Sequence, residues 1–223
     1  MEMDFGGAAA RRLPVYLVLD VSSSMSGEPI QQVNQGVQLL YNELLSNPQA
    51  IETVWISVIT FSSEARQIVP LTELTRFTPP ELATSYGTFL GAALRLLRQV
   101  MDREIIANKP DQKGDYKPLV FLLTDGHPVD EWQSEAQALK NRPSHRLANI
   151  IALACGPYAN VGVLKQLTET VLLMDDLTPA SMQAFFQWVS ASIQAASVSA
   201  SAAGTGEVQA QLPPPPPEIH IPL

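Results

Sequence analysis

Two periodicities alternate along the chain. Short runs that are almost wholly apolar or β-branched are separated by longer stretches whose apolar residues recur three and four apart. The run VYLVLDV, starting at Val15, predicts a first strand. From about Pro29 to Ser46, residues Ile30, Val33, Val37, Leu40, Tyr41 and Leu44 form one stripe, as in a helix that buries a single face. Pro29 near its start and Pro48 beyond its end fit its boundaries. TVWISVITF (Thr53–Phe61) predicts a second strand and ARQIVPL (Ala65–Leu71) a third. Only Ser62, Ser63 and Glu64 separate them, which permits a hairpin but no crossover, so this pair is expected to be antiparallel. Pro70 has no amide hydrogen to give a ladder, which puts the third strand at an edge.

The same reading continues downstream. A second helix is expected from about Leu90 to Ile105, with Leu90, Ala93, Leu94, Leu97 and Met101 inward. Leu119–Leu123 is apolar on both faces, as in a central strand covered by helices on each side. A helix near Trp132–Asn141, a strand in NIIALACG, a short helix at Val163–Glu169, a strand in VLLMD and a last helix from Pro179 to about Gln194 complete the order. The alternation implies an α/β class: a doubly wound, mostly parallel six-stranded sheet with one antiparallel edge strand and helices on both faces. The expected organisation is an N-terminal extension (1–12), one domain (13–195) and a flexible tail (196–223) rich in Ala, Ser and Pro. The five-proline run in the tail also suits a docking peptide for a proline-reading domain, and EIHIPL could add a strand to another sheet.

Composition narrows the function classes. The net charge of −8 argues against a nucleic-acid partner, which wants a basic face. The lone cysteine, Cys155, sits in an apolar run and reads as a small buried side chain. With no disulfide framework, a reducing, cytoplasmic setting fits best. The N-terminal residues lack the apolar segment of a signal peptide, and no stretch reaches the roughly 18 apolar residues of a membrane span, so no membrane partner is expected.

In open α/β sheets ligands collect beyond the carboxyl ends of the strands. There the first strand ends in Asp20-Val21-Ser22-Ser23-Ser24 and the fourth in Thr124-Asp125-Gly126, while the loop before the second long helix offers Tyr86-Gly87-Thr88. Asp20 and Asp125 at one mouth would repel each other unless protonated or neutralised by a cation. Together with the hydroxyls of Ser22, Ser24 and Thr88 they make a hard-oxygen set suited to Mg2+, or to Ca2+ or Mn2+, rather than zinc. Each piece alone has a plainer reading: serines as turn or cap residues, Asp125-Gly126 as a turn, Thr88 as a helix N-cap. It is the joint placement that favours a metal. His127 reads as a rim residue, His145 as a surface residue, and Arg95, Arg98 and Arg103 as the solvated face of their helix.

This set, Asp20-x-Ser22-x-Ser24, Thr88 and Thr124-Asp125-Gly126 in order, resembles the von Willebrand factor A domain family over about Leu13–Ala195. The TDGHP version is similar to bacterial tellurium-resistance-associated members. The resemblance implies a metal-ion-dependent adhesion site in which Ser22 and Ser24 bind the metal directly. Thr88, Asp20 and Asp125 would bind it directly or through water, and an acidic side chain of a partner protein would complete the shell. It also implies a stress-response setting, with kinase or phosphatase partners in some relatives. Enzyme motifs are missing: there is no phosphate loop and no nucleophile elbow, and the place two residues after Asp20, where an aspartyl phosphohydrolase carries a second acid, holds Ser22. A binding module is therefore expected, not an enzyme. The alternatives are a metal-dependent phosphohydrolase using Asp20, and a metal-free scaffold that recruits through its tail.

Overall fold

The computed structural model describes residues 11–109, 113–142, 148–156, 159–202 and 212–222. Residues 1–10 and His145 lie outside these. The strands are β1 (Leu13–Asp20), β2 (Val54–Phe61), β3 (Ala65–Glu73), β4 (Leu119–Thr124), β5 (Asn149–Cys155) and β6 (Thr170–Met174). They form a six-stranded sheet in the order β3-β2-β1-β4-β5-β6. All neighbours are parallel except β2 and β3, the hairpin pair. β3 carries Pro70 on the sheet's outer edge, where a missing amide breaks no ladder.

The helices are α1 (Glu28–Leu45), α2 (Pro48–Thr53), α3 (Leu90–Glu104), α4 (Gln133–Lys140), α5 (Val161–Leu167) and α6 (Pro179–Ala202). β1 is buried along its whole length, and its alternating side chains feed two cores. Leu13, Val15, Leu17 and Leu19 pack with α1 and α6; Tyr16 and Val18 pack with α3, α4 and α5. Gly36 sets the approach of α1 to α6, because a Cβ there would fall inside the Phe186 ring. The chain leaves β1 toward β2 and β3, then returns to lay β4 on the other flank of β1. The order therefore reverses between β1 and β4, where the carboxyl ends leave a crevice.

Four expectations change. Pro48 does not merely end the first helix. It opens α2, with the Asn47 side-chain Oδ1 accepting the Ala50 amide at 3.1 Å, a cap-then-proline start. The last helix does not stop near Gln194 but runs on to Ala202, because Ala196 and Ser197 are buried and Ser197 bonds Thr53 at 2.7 Å. Where a flexible tail is expected, residues 212–222 return to the body and bridge β6 at Leu173. Arg95 and Arg98 are not simply a solvated face either: both reach Glu135 on α4, at 2.8 and 3.0 Å, and so tie two helices together.

Candidate metal site

The carboxyl end of β1 carries Asp20 into the crevice at a position that is 0% exposed. Its Oδ1 accepts the Ser22 amide at 2.8 Å, which turns the chain sharply after the strand. Its Oδ2 accepts the Thr124 hydroxyl at 2.6 Å, joining the ends of β1 and β4. Ser23–Met25 then form a single 3-10 turn, anchored by the wholly buried Met25. That turn brings the Ser22 and Ser24 hydroxyls within 2.9 Å of each other, and Ser24 donates to Asp125 Oδ1 at 2.8 Å. Asp20, Ser22, Ser24, Asp125 and Thr124 thus converge at the switch point of the sheet.

Thr88 comes in beside Gly126 from a third segment. Its carbonyl accepts the Val129 amide at 3.0 Å, while the neighbouring Phe89 amide donates to the Ser62 carbonyl at 2.9 Å. A Cβ at Gly126 would stand 3.3 Å from the Thr88 hydroxyl oxygen, so glycine keeps room around that oxygen. Thr88 does not cap α3: the N-cap is Phe89, without a side-chain cap bond. The first α3 amides are instead held by Asp130, whose two oxygens accept from Gly91 at 3.0 Å and Ala92 at 2.9 Å. Asp130 escaped the sequence reading because its partners lie 39 and 38 residues earlier. Thr124, noted only as a strand end, turns out to orient Asp20. His127 is exposed on the rim and meets Asn160 at 3.0 Å through Nδ1.

The electrostatics of the cluster are one-sided. Among the described residues no Lys or Arg pairs with Asp20 or Asp125. Burial pushes the Asp20 carboxyl from 3.8 up to about 6, against the pull of the Ser22 and Thr124 hydrogen bonds. Burial raises Asp125 as well, opposed by Ser24. Cys155 lies wholly buried behind them; burial, with added repulsion from both acids, pushes its thiol well up and keeps it from being a reactive thiolate. The donor set of two carboxylates and three hydroxyls fits a hard divalent cation, whose charge would offset the cost of two buried acids. Among the described residues there is no cluster of three His, Cys, Asp or Glu, so hydroxyls must supply much of any such shell.

Known proteins share this architecture. A mussel byssus protein, proximal thread matrix protein 1 with a zinc-occupied MIDAS motif, is 20% identical with a TM-score of 0.59, over 81% of this chain and 48% of that one. A von Willebrand factor type A structure from Catenulispora acidiphila is 17% identical with a TM-score of 0.63, over 83% of this chain and 43% of the other. The chain thus spans less than half the length of either. BatB from Bacteroides thetaiotaomicron, at 17% identity and a TM-score of 0.53, is covered over 97% of its length by 80% of this chain. At such identities these likenesses carry the fold. A comparison with curated proteins gives no match. The family model for the von Willebrand factor type A domain matches residues 15–171, well over half of the sequence and all three site segments. The chain therefore belongs to the von Willebrand factor type A domain family.

Proposed function

We propose that the protein is a divalent-cation-dependent binding module. Asp20, Ser22, Ser24, Thr88 and Asp125 would hold the ion, Mg2+ before Ca2+ or Mn2+, and an acidic side chain of a partner protein would take the remaining position. The observation that carries this reading is the convergence of two carboxylates and their hydroxyls in one crevice where, among the described residues, no Lys or Arg pairs with either acid. The mussel protein of the same fold, whose MIDAS motif holds zinc, supports a divalent metal in such a domain.

The phosphohydrolase alternative is less well supported. Asp20 is fully enclosed, and each of its oxygens already accepts a hydrogen bond, which blunts it as a nucleophile. A tellurite or stress-response role in the cytoplasm belongs to this proposal, resting on the TDGHP motif and the lone buried Cys155.

The test is capture of partners by immobilised protein with Mg2+ and with EDTA, alongside Ser24→Ala. Partners retained in Mg2+, released by EDTA and missed by Ser24→Ala are the expected result. Equal retention under all three conditions contradicts it.

A further inference from the structure

β6 is the outer strand on the side away from the hairpin, and an outer strand presents unpaired backbone groups. At Leu173 those groups are engaged. Leu173 donates its amide to the His220 carbonyl at 2.8 Å and accepts the His220 amide at 3.0 Å, an antiparallel bridge. One residue earlier, Ile219 is 2% exposed and joins the core that α6 closes. Farther back along the segment, the Pro213 carbonyl accepts a hydrogen bond at 2.9 Å from the Trp188 indole on α6.

Between these anchors run five consecutive prolines, Pro213–Pro217. Each fixes its own φ and drives the residue before it out of the helical region, so Leu212–Pro216 are extended with little freedom left to lose on docking. Pro213, Pro215 and Pro216 are half-buried, while Pro214 and Pro217 face solvent. The Ile219 amide then bonds the Pro216 carbonyl at 3.0 Å, a turn that redirects the chain onto β6.

We propose that Trp188 and the β6 edge form a docking groove for a proline-rich strand, and that residues 212–222 of this chain fill it in cis as a strap across the open edge of the sheet. Two recognition modes meet in it: an indole donating to a polyproline carbonyl, and an extended residue added to a sheet edge. None of the metal-site residues takes part. The strap spans α6 and β6 together, and it covers backbone groups that would otherwise template pairing with another chain. A competitor must carry the same chemistry, a proline run followed by a β-branched residue that can be buried.

The test uses the full chain and a fluorescent peptide of sequence LPPPPPEIHIP. In the wild type the Leu173 and His220 amides exchange slowly with solvent. Ile219→Asp speeds both by about tenfold or more, from the loss of one buried aliphatic side chain, while β1 amides stay protected. The peptide binds Ile219→Asp but not the wild type, where the tethered strap has an effective concentration on the order of millimolar. Adding Trp188→Phe, which keeps a ring and removes the donor, weakens that binding. Fast exchange at Leu173 and His220 in the wild type overturns the proposal. So does a peptide that binds neither protein, or both equally. Protection that disappears on dilution would assign the strap to a second copy and overturn its action in cis.

Discussion

Glu135, on α4, and the pair Asp20 and Asp125, at the ends of β1 and β4, are all acids with little solvent contact. Glu135 meets two arginines, Arg95 and Arg98, and its carboxyl is held below the ordinary range by those hydrogen bonds, Arg95 first. Among the described residues, Asp20 and Asp125 meet only amides and hydroxyls, and both are pushed up by burial. An acid that supplies its own counter-charge locks two helices together. Under the proposed function, the acid pair without one, in a crevice at the switch point, would receive its counter-charge from a bound cation.

The contrast can be broken most sharply by removing charge from one cluster at a time. Asp20→Asn keeps the size of the side chain and an oxygen for the Ser22 amide. It should weaken Mg2+ binding more than about a hundredfold, since the ion loses a charged group beside it. Followed by thermal unfolding, the wild type should gain stability on adding Mg2+ and Asp20→Asn should not. Glu135→Gln should gain as much as the wild type; an equal gain in all three proteins would erase the distinction between the clusters.

A second contrast lies in pH. In EDTA, the folded Asp20 carboxyl at about 6 binds its proton more tightly than the unfolded chain does at 3.8. Its contribution therefore favours the native state below pH ~4, declines as pH rises to ~6, and levels off above, a change of up to about 3 kcal/mol. Urea unfolding between those pH values should show the decline in the wild type and a flatter curve in Asp20→Asn. Glu135 has the opposite sign. Its folded pKa lies below 4.5, so its contribution is present above that value and is lost as pH falls through the folded pKa.

Smaller effects come from the frame around each cluster. A Cβ at Gly91 would collide with the Glu131 backbone and crowd Asp130. Gly91→Ala should cost about 1–3 kcal/mol by overpacking, and should weaken Mg2+ binding by displacing the 125–131 loop. Normal Mg2+ affinity in a destabilised Gly91→Ala protein would separate that loop from the site. Glu135→Gln should cost only about 1 kcal/mol, because Arg95 is largely solvated and screened.

The features legible in the sequence are those whose cause is local. Strand runs, the helical stripe from Ile30 to Leu44, the three-residue link that forces a hairpin, and Pro70 at an edge all follow from neighbours along the chain. The convergence of Asp20 and Asp125 was legible for a different reason: strand ends point to one place, so the two acids could be brought together before any distance was known. Features that arise between distant segments were hidden. Asp130 on the start of α3, Glu135 between two arginines, and Ile219 against β6 carry no spacing signal, since each partner sits on another element. The start of α2 at Pro48 was legible in principle. Asn-Pro can end one helix or open the next, and here the Asn47 side chain opens one.

The most direct test of the central claim is calorimetric titration of Mg2+ into metal-free protein, with Asp125→Ala beside it. The account predicts one saturable site in the wild type, lost in Asp125→Ala. Absence of binding by the wild type, or equal binding by both proteins, would contradict it.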